Sequence, residues 1–308
     1  MILCCGEALI DMIPTPITDG AQGFVPHSGG AIFNTAIALG RLGASVGMLT
    51  GLSRDMFGDQ LVDALTNSHV DQTHVIRSDR PTTLAFVQLK NGHATYSFND
   101  ENTAGRMLMP KDMPPQLAGV TALYFGGISL ACEPCADAYA SVLERHGSDR
   151  AVMLDPNIRP GFIKDESRYR TRLNRMISQS DIVKVSDEDL DWILPGQKGT
   201  ADKARRLLQD GPTALIVTKG SDGASGYLAD GTEISTPSNP VEVVDTVGAG
   251  DTFNAGVLAE LQKSGHLTKS AVRHLTTDTL GAALIKGAQV AAITVSRAGA
   301  NPPWAHEL

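Results

Sequence analysis

Short apolar runs alternate along the chain with stretches in which apolar residues recur at helical spacing. The runs end at glycine or polar positions and predict strands; they lie at 2–5, 45–49, 122–125, 151–154, 181–185 and 215–218. Helical spacing predicts helices between them, among others at 34–43, 55–67 and 134–146. Residues 280–295 are predicted to form a helix and then a short strand. The alternation predicts an α/β fold with a doubly wound, mostly parallel sheet flanked by helices. No linker divides the chain, so residues 1–308 are expected to form one domain.

A second pattern predicts a smaller sheet. Residues 82–89 and 94–98 are rich in β-branched and aromatic side chains, and Asn91-Gly92 between them is typical of a hairpin turn. The extended segment 9–28 is expected to join this hairpin. The small sheet would then be formed by about 9–28 and 82–106, inserted in the main domain.

One stretch combines a strand, a glycine loop and a helix. Val243 and Val244 predict the end of a buried strand, and apolar spacing after Asp251 predicts a helix whose first turn holds this acid. The first N–H groups of a helix have no internal partner and favour anions, so the loop 248–250 suits a phosphate. A carboxylate repels phosphate, so an acid at this position is unexpected. Its presence is explained if Asp251 faces a hydroxyl that receives a phosphoryl group. Taken alone, the pattern favours helix capping by Asp245 or Asp251 beside a tight turn, because capping acids are common.

Two motifs more than 200 residues apart carry a family resemblance. The run 245–256, DTVGAGDTFNAG, and the run 28–36, SGGAIFNTA, resemble the two signatures of the ribokinase-like (PfkB) carbohydrate kinases. The resemblance implies ATP-dependent phosphorylation of a primary hydroxyl of a sugar. It also implies that the small sheet is a lid over the sugar and the contact of a homodimer.

The resemblance assigns roles to individual residues. Asp251 would be the base, with the amides of Gly248, Ala249 and Gly250 as an anion hole and Arg159 at the γ-phosphate. The sugar would be held by Asp251 together with Asp11, Gly29, Gly30, Asn34, Phe98, Arg106 and Arg159. ATP would be held by Gly248 and Gly250 together with Lys184, Ser186, Thr218, Gly220 and Gly223.

The resemblance also implies metal ions. Magnesium would arrive with ATP and contact Asp189 through water. A potassium ion would be held by main-chain oxygens around Asp245, Val247, Arg297 and Gly299. Family members often carry an asparagine near the adenine where this chain has Gly287, so the adenine contacts are left open.

The sugar is less sharply defined than the reaction. The runs DPNIRP at 155–160, KVSDED at 184–189 and SRAGANPP at 296–303 resemble fructokinases, which favours fructose and its 6-phosphate. The alternatives are 2-keto-3-deoxygluconate, whose carboxylate would need a further cation such as Arg106, a nucleoside, or a catalytically silent sugar-binding regulator. A nicotinamide oxidoreductase would need an early G-x-G-x-x-G, and a P-loop kinase G-x-x-x-x-G-K-[ST]; the sequence has neither.

Composition and charge limit the partners and the cellular location that we expect for this protein. The net charge of −8 argues against a nucleic-acid binder, and no apolar run is long enough to cross a membrane. The start of the chain lacks the basic region of a signal peptide, so a cytoplasmic protein is expected. Cys132 and Cys135 form a C-x-x-C without a second metal-ligand pair, so all four cysteines are expected to be free structural thiols.

Overall fold

A computed structural model describes residues 1–18, 21–90, 93–196 and 199–308. Its strands are β1 (Ile2–Cys5), β2 (Leu9–Pro16), β3 (Gln22–Gly29), β4 (Val46–Ser53), β5 (Val75–Ser78), β6 (Leu84–Lys90), β7 (His93–Asn99), β8 (Ala122–Gly126), β9 (Ala151–Asp155), β10 (Ile182–Ser186), β11 (Ala214–Thr218), β12 (Ala224–Leu228) and β13 (Glu233–Thr236). Its helices are α1 (Ala31–Arg41), α2 (Met56–Asn67), α3 (Cys135–His146), α4 (Glu166–Gln179), α5 (Asp187–Ile193), α6 (Thr200–Leu208), α7 (Ala249–Lys263), α8 (Lys269–Val272) and α9 (Thr277–Val295).

Nine strands form the main sheet in the order β13-β12-β11-β10-β9-β8-β1-β4-β5. All neighbours are parallel except β11–β12 and β12–β13. Each face of the sheet carries its own core: in β1, Ile2 and Cys4 pack into one, and Leu3 and Cys5 into the other. Burial on both faces explains why these strands are continuous apolar runs. The predicted doubly wound, mostly parallel sheet is confirmed.

Four strands form a separate sheet in the order β3-β2-β6-β7. The antiparallel pairing of β6 with β7 confirms the predicted hairpin, although its Asn91-Gly92 turn lies outside the described residues. Asp11 pairs with Ala85 and Ala85 with Phe98, so these three side chains share one face. β2 follows β1 after only three residues, so the small sheet begins at the carboxyl end of a central strand of the main sheet.

Three local predictions are wrong. Val243 and Val244 form no strand and are 59% and 61% exposed, because β12 and β13 take the sheet edge after β11; the Val244 N–H instead bonds the Val295 carbonyl. α1 begins at Ala31 rather than Asn34, because Gly30 adopts φ 107° and caps it. The predicted short strand before residue 295 is part of α9.

Two further features of the chain concern its cysteines and its helices. All four cysteines are buried and free, as predicted. Across the described ranges, no helix combines the length and the apolar character that a membrane span requires.

Candidate active site

A cleft of about 950 Å³ lies at the carboxyl ends of β1, β9 and β10, beside the small sheet. This is where doubly wound sheets bind ligands. Most of the predicted site residues line it: Asp11, Gly30, Asn34, Phe98, Arg106, Arg159, Lys184, Val247, Gly248, Ala249, Gly250 and Asp251. The remaining predicted residues do not line the cleft.

Asp251 lies in the first turn of α7 and is 9% exposed. Its Oδ2 accepts a hydrogen bond from Asn34 Nδ2 at 2.9 Å, and its main-chain carbonyl accepts one from Thr35 Oγ1 at 3.0 Å. Both donors belong to α1, so the two glycine-containing motifs meet at this carboxylate. Within the described residues Oδ1 has no hydrogen-bond partner, which leaves it available to a ligand.

Burial raises the pKa of Asp251 from 3.8 to about 7. The Asn34 hydrogen bond lowers this pKa, the negative charge of Asp155 raises it, and the positive charge of Lys184 lowers it. A carboxylate whose pKa lies near neutrality is suited to general-base catalysis, because it is partly ionised and still basic.

Three residues at the start of α7 line the cleft with amides that have no acceptor in the described part of the chain. Gly248 takes the left-handed conformation with φ 78°, and the Ala249 N–H closes a turn onto the Thr246 carbonyl at 3.3 Å. The N–H groups of Gly248, Gly250 and Asp251 have no acceptor among the described residues. Of the three amides predicted to form the anion hole, those of Gly248 and Gly250 are thus unpaired, and the Asp251 amide is a further unpaired donor beside them.

An ion pair that the sequence did not reveal lies on the floor of the cleft. Lys184 Nζ is 3.0 Å from Asp155 Oδ2, and Asn254 Nδ2 donates to the same oxygen at 2.7 Å. A Cβ built on Gly250 would lie 3.3 Å from Lys184 Nζ. The ammonium group therefore lies directly beside the amides at the start of α7.

Asp11 brings a second carboxylate to the cleft from the small sheet. Burial raises its pKa from 3.8 to about 6. Gly29 pairs with Leu9 on the neighbouring strand, and a Cβ there would overlap the Oδ2 of Asp11. Gly29 thus supports the position of Asp11 rather than lining the cleft itself.

Sequence reasoning assigned no role to Glu7, which lines the cleft directly after β1. Its Oε1 accepts from the Ala31 N–H at 3.1 Å, and its Oε2 accepts from Ser129 Oγ at 2.6 Å. Burial raises its pKa. The only available signal was an acid at the end of an apolar strand, because its partners are distant in sequence.

Two predicted arginines differ in their pairing. Arg106 is bound to Asp100 at 2.7 Å and donates through Nε to the Glu133 carbonyl at 3.1 Å, so its charge is already balanced. Arg159 is exposed and donates only to the carbonyl of Ile158, and in the described part of the chain no carboxylate pairs with it. Of these two cations, Arg159 is the one available to an anionic ligand.

The predicted aromatic Phe98 contacts the main domain across the cleft. Its ring packs edge to face with Phe162, with the ring centroids 4.4 Å apart. Phe162 follows Arg159 in the loop after β9. This ring pair connects the small sheet to the loop that carries the unpaired arginine.

Ser186 and Asp189 cap α5 and do not line the cleft. The Ser186 side chain accepts from the Asp189 N–H at 3.0 Å, and the Asp189 oxygens accept from the N–H groups of Ser186 at 3.3 Å and Ile158 at 3.0 Å. The predicted phosphate and magnesium contacts thus have competing main-chain partners. No group of three or more His, Cys, Asp or Glu that could hold a metal occurs in the described ranges.

The remaining predicted nucleotide residues lie at the end of β11, two strands from β9. Thr218 ends this strand, and Gly220 and Gly223 flank the short turn that follows. None of the three lines the cleft.

The two loops of the predicted potassium site are joined. Asp245 Oδ1 accepts from the Val247 N–H at 3.0 Å, and Oδ2 accepts from the Gly299 N–H at 2.9 Å. Arg297, also expected there, pairs through its side chain with Glu307 at 2.6 Å. The Asp245 carboxylate thus joins the chain at Val247 to the chain at Gly299.

Gly287 belongs to α9 and is buried against α7. A Cβ at this position would lie 2.9 Å from the Phe253 ring, and one on Gly256 would lie 2.7 Å from the Gly287 Cα. The two helices therefore meet main chain to main chain. Gly287 has a packing role, and an asparagine here would collide with α7.

Comparison with known proteins agrees with this geometry. The family model of the pfkB family carbohydrate kinases matches residues 1–307. A fructokinase from Rhizobium leguminosarum bv. trifolii is 52% identical over 281 residues, which cover 91% of this chain and 85% of the relative.

Solved structures have the same fold. A fructokinase from Xylella fastidiosa with bound ATP superposes with a TM-score of 0.88 at 29% identity, covering 97% of this chain and 93% of the other. An aminoimidazole riboside kinase from Salmonella enterica, with aminoimidazole riboside and an ATP analogue, gives a TM-score of 0.82 at 25% identity, covering 97% and 93%. The resemblance inferred from the two motifs is confirmed: this chain belongs to the pfkB family of carbohydrate kinases, which are ATP-dependent sugar kinases.

Proposed function

We propose that this kinase transfers the γ-phosphoryl group of ATP to the primary hydroxyl of fructose and forms fructose 6-phosphate. The observation that carries the reaction is the start of α7, where a buried carboxylate of raised pKa adjoins two unpaired amides. This arrangement holds a base and an anion site within one helical turn.

Each group has a distinct role in the proposed mechanism. Asp251 Oδ1 accepts the proton of the sugar hydroxyl, while Asn34 holds Oδ2 and so orients the carboxylate. The hydroxyl oxygen forms a bond to the γ-phosphorus, and the bond to the bridging oxygen breaks, leaving ADP with the electron pair. The Gly250 and Asp251 amides and the Lys184 ammonium stabilise the charge on the phosphoryl oxygens.

The sugar is proposed to be held from both sheets. Asp11, as a carboxylate, accepts hydrogen bonds from two neighbouring hydroxyls, and Asn34 and the main chain at Gly30 contact others, while Gly29 leaves room for Asp11. Arg159 lies over the phosphoryl group. Closure of the small sheet as a lid would exclude water and limit ATP hydrolysis.

Pairing of Arg106 favours a neutral sugar over 2-keto-3-deoxygluconate. A substrate carboxylate would need a cation whose charge is not already balanced, and Arg106 is bound to Asp100. The related fructokinase at 52% identity supports the same choice.

Cations and assembly are part of the proposal. Magnesium would be carried by ATP and would neutralise charge on the phosphates. No contact with Asp189 is proposed, because this residue does not line the cleft and both its oxygens accept main-chain hydrogen bonds. A potassium ion is proposed at the main-chain oxygens of the two loops that Asp245 joins. A homodimer through the small sheet is supported by the exposed apolar residues Ile17, Phe24 and Val25, and a cytoplasmic location by the unbridged buried thiols.

The test is ADP release from ATP and Mg²⁺ with fructose, 2-keto-3-deoxygluconate, ribose, tagatose or adenosine, with and without K⁺. Turnover on fructose well above the other compounds is expected. Turnover on another compound replaces the sugar and keeps the mechanism. Sugar binding without turnover would refute the kinase assignment in favour of a silent binder.

A further inference from the structure

Asp155 and Lys184 form a buried ion pair whose position at the cleft is not explained by its contribution to stability. Both side chains are less than a tenth exposed, and both line the cleft. Desolvation of two buried charges offsets much of their attraction, so such pairs contribute little net stability compared with apolar side chains. This pair lies beside the helix that carries the proposed base.

Asp155 is fully engaged with its surroundings. Besides Lys184, its Oδ2 accepts from Asn254 Nδ2 at 2.7 Å, and its Oδ1 accepts from the Asn157 N–H at 3.1 Å. Asn254 lies one turn after Asp251 on α7. Asp155 is therefore bonded directly to the helix that presents Asp251.

Two of the three N–H groups of the Lys184 ammonium are unpaired in the described part of the chain. Asp155 takes one of its three N–H groups, and the other two have no acceptor among the residues that the structure describes. The ammonium lies beside Gly250, whose N–H also lacks an acceptor. An anion at the start of α7 would therefore meet the amide and the ammonium together.

We propose that Asp155 is a positioning residue for phosphoryl transfer, holding the Lys184 ammonium beside Gly250 and fixing α7 through Asn254. The ammonium then faces the transferring phosphoryl group without having to move. The inference rests on the proposed kinase function and adds to it a residue that touches neither substrate.

The pKa of Asp251 depends on the charges of Asp155 and Lys184. The charged groups facing Asp251 are Asp155 at the end of β9, Lys184 on β10 and Glu7 after β1; α1 contributes only the neutral Asn34. The charges of Asp155 and Glu7 raise the pKa of Asp251, and that of Lys184 lowers it. Removing Asp155 should lower this pKa, and removing Lys184 should raise it.

The experiment measures kcat against pH for the wild type, Asp155→Asn and Lys184→Met. Both variants should lose about 10²-fold in kcat, the size of effect expected for a misplaced or missing stabilising charge. The acidic limb of the kcat–pH profile reflects ionisation of Asp251. This limb should move to lower pH in Asp155→Asn and to higher pH in Lys184→Met. A purely structural role would reduce the folded fraction and leave kcat per folded molecule unchanged.

Asp181 provides a matched control. It forms a similarly buried pair with Lys269 at 2.9 Å, but it precedes β10, at the opposite end of the strand from the cleft. Asp181→Asn should keep the wild-type limb and the wild-type kcat per folded molecule. Asp155→Asn behaving in the same way as this control would overturn the inference.

A double variant guards against misfolding. Asp155→Asn combined with Lys184→Met leaves no unpaired buried charge, so it should fold even if Asp155→Asn does not. It should still lose about 10²-fold in kcat, and a wild-type kcat would overturn the inference. Absence of sugar phosphorylation by the wild type overturns the proposed function and this inference with it, whereas an active wild type with unaffected variants overturns the inference alone.

Discussion

Replacing Asp251 by asparagine is expected to inactivate the protein and, at alkaline pH, to stabilise it. Burial raises the pKa of Asp251 from 3.8 to about 7. Above that pH the folded chain holds an ionised carboxylate in surroundings that favour its neutral form. At about 1.4 kcal/mol per pKa unit, this difference lowers the free energy of unfolding by about 4 kcal/mol.

The pH dependence has a definite sign. Between the two pKa values the folded state binds more protons at this site than the unfolded state, so the free energy of unfolding falls as pH rises. The asparagine variant lacks this titration and retains an oxygen for the Asn34 hydrogen bond. Its stability relative to the wild type should therefore increase by about 3 kcal/mol from about pH 5 to about pH 8.

Urea unfolding of both proteins at the two pH values measures this difference. The exposed Asp79, whose side chain is 92% exposed, provides the control for a change in net charge through Asp79→Asn. A relative stability of Asp251→Asn that stays constant or decreases with pH would refute the reasoning. The same variant should retain sugar binding and lose ~10² or more in kcat.

Three further substitutions test the site. Asn34→Ala removes a hydrogen bond that lowers the pKa of Asp251, so the acidic limb of kcat, which requires the ionised base, should move to higher pH. Gly29→Ala places a methyl group on the Asp11 carboxylate and should raise the KM for the sugar at least about tenfold, with little change in the KM for ATP. Phe162→Ala removes a ring contact worth about 1 kcal/mol between the sheets, so the sugar KM should rise about fivefold and sugar-independent ATP hydrolysis should increase.

Controls for these variants come from the same chain. An unmoved limb in Asn34→Ala would contradict the assignment of Asp251 as the titrating base. Gly105→Ala meets only ordinary contact, at 3.5 Å from the Gly51 carbonyl, and should leave the sugar KM unchanged; equal effects at both glycines would count against the Asp11 contact. Phe24→Ala removes a ring pair with Phe86 inside the small sheet, and an equal rise in hydrolysis there would show that the Phe98–Phe162 contact is not specific.

The sequence predicted those parts of the fold in which burial leaves a periodic pattern. β1 and the parallel strands are apolar on both faces, and α7 follows its glycine loop as expected. Val243 and Val244 have the local preference of a strand, but the sheet offers them no partner because β12 and β13 occupy its edge. Local preference cannot show that a neighbouring edge is already taken.

The sequence identified many of the residues at the site, but it did not show which of them contact one another. Asp251 and Asn34 were both identified, but their contact across 217 residues was not. Arg106 was a candidate cation until the structure paired it with Asp100. The signal of Glu7 was too weak to use, because a single acid after a strand says nothing about partners that arrive from other elements.

The main-chain contact of Gly256 with Gly287 sets a limit on how this protein can be altered. The helix α7, which carries Asp251, packs on α9 through two positions that have no side chain, so nothing on these positions could be trimmed or repacked to move the helix. Asp11 and Phe98, by contrast, belong to strands of the small sheet, whose side chains can change without touching this helix crossing. A library aimed at new sugars should therefore vary the small sheet and keep both glycines constant.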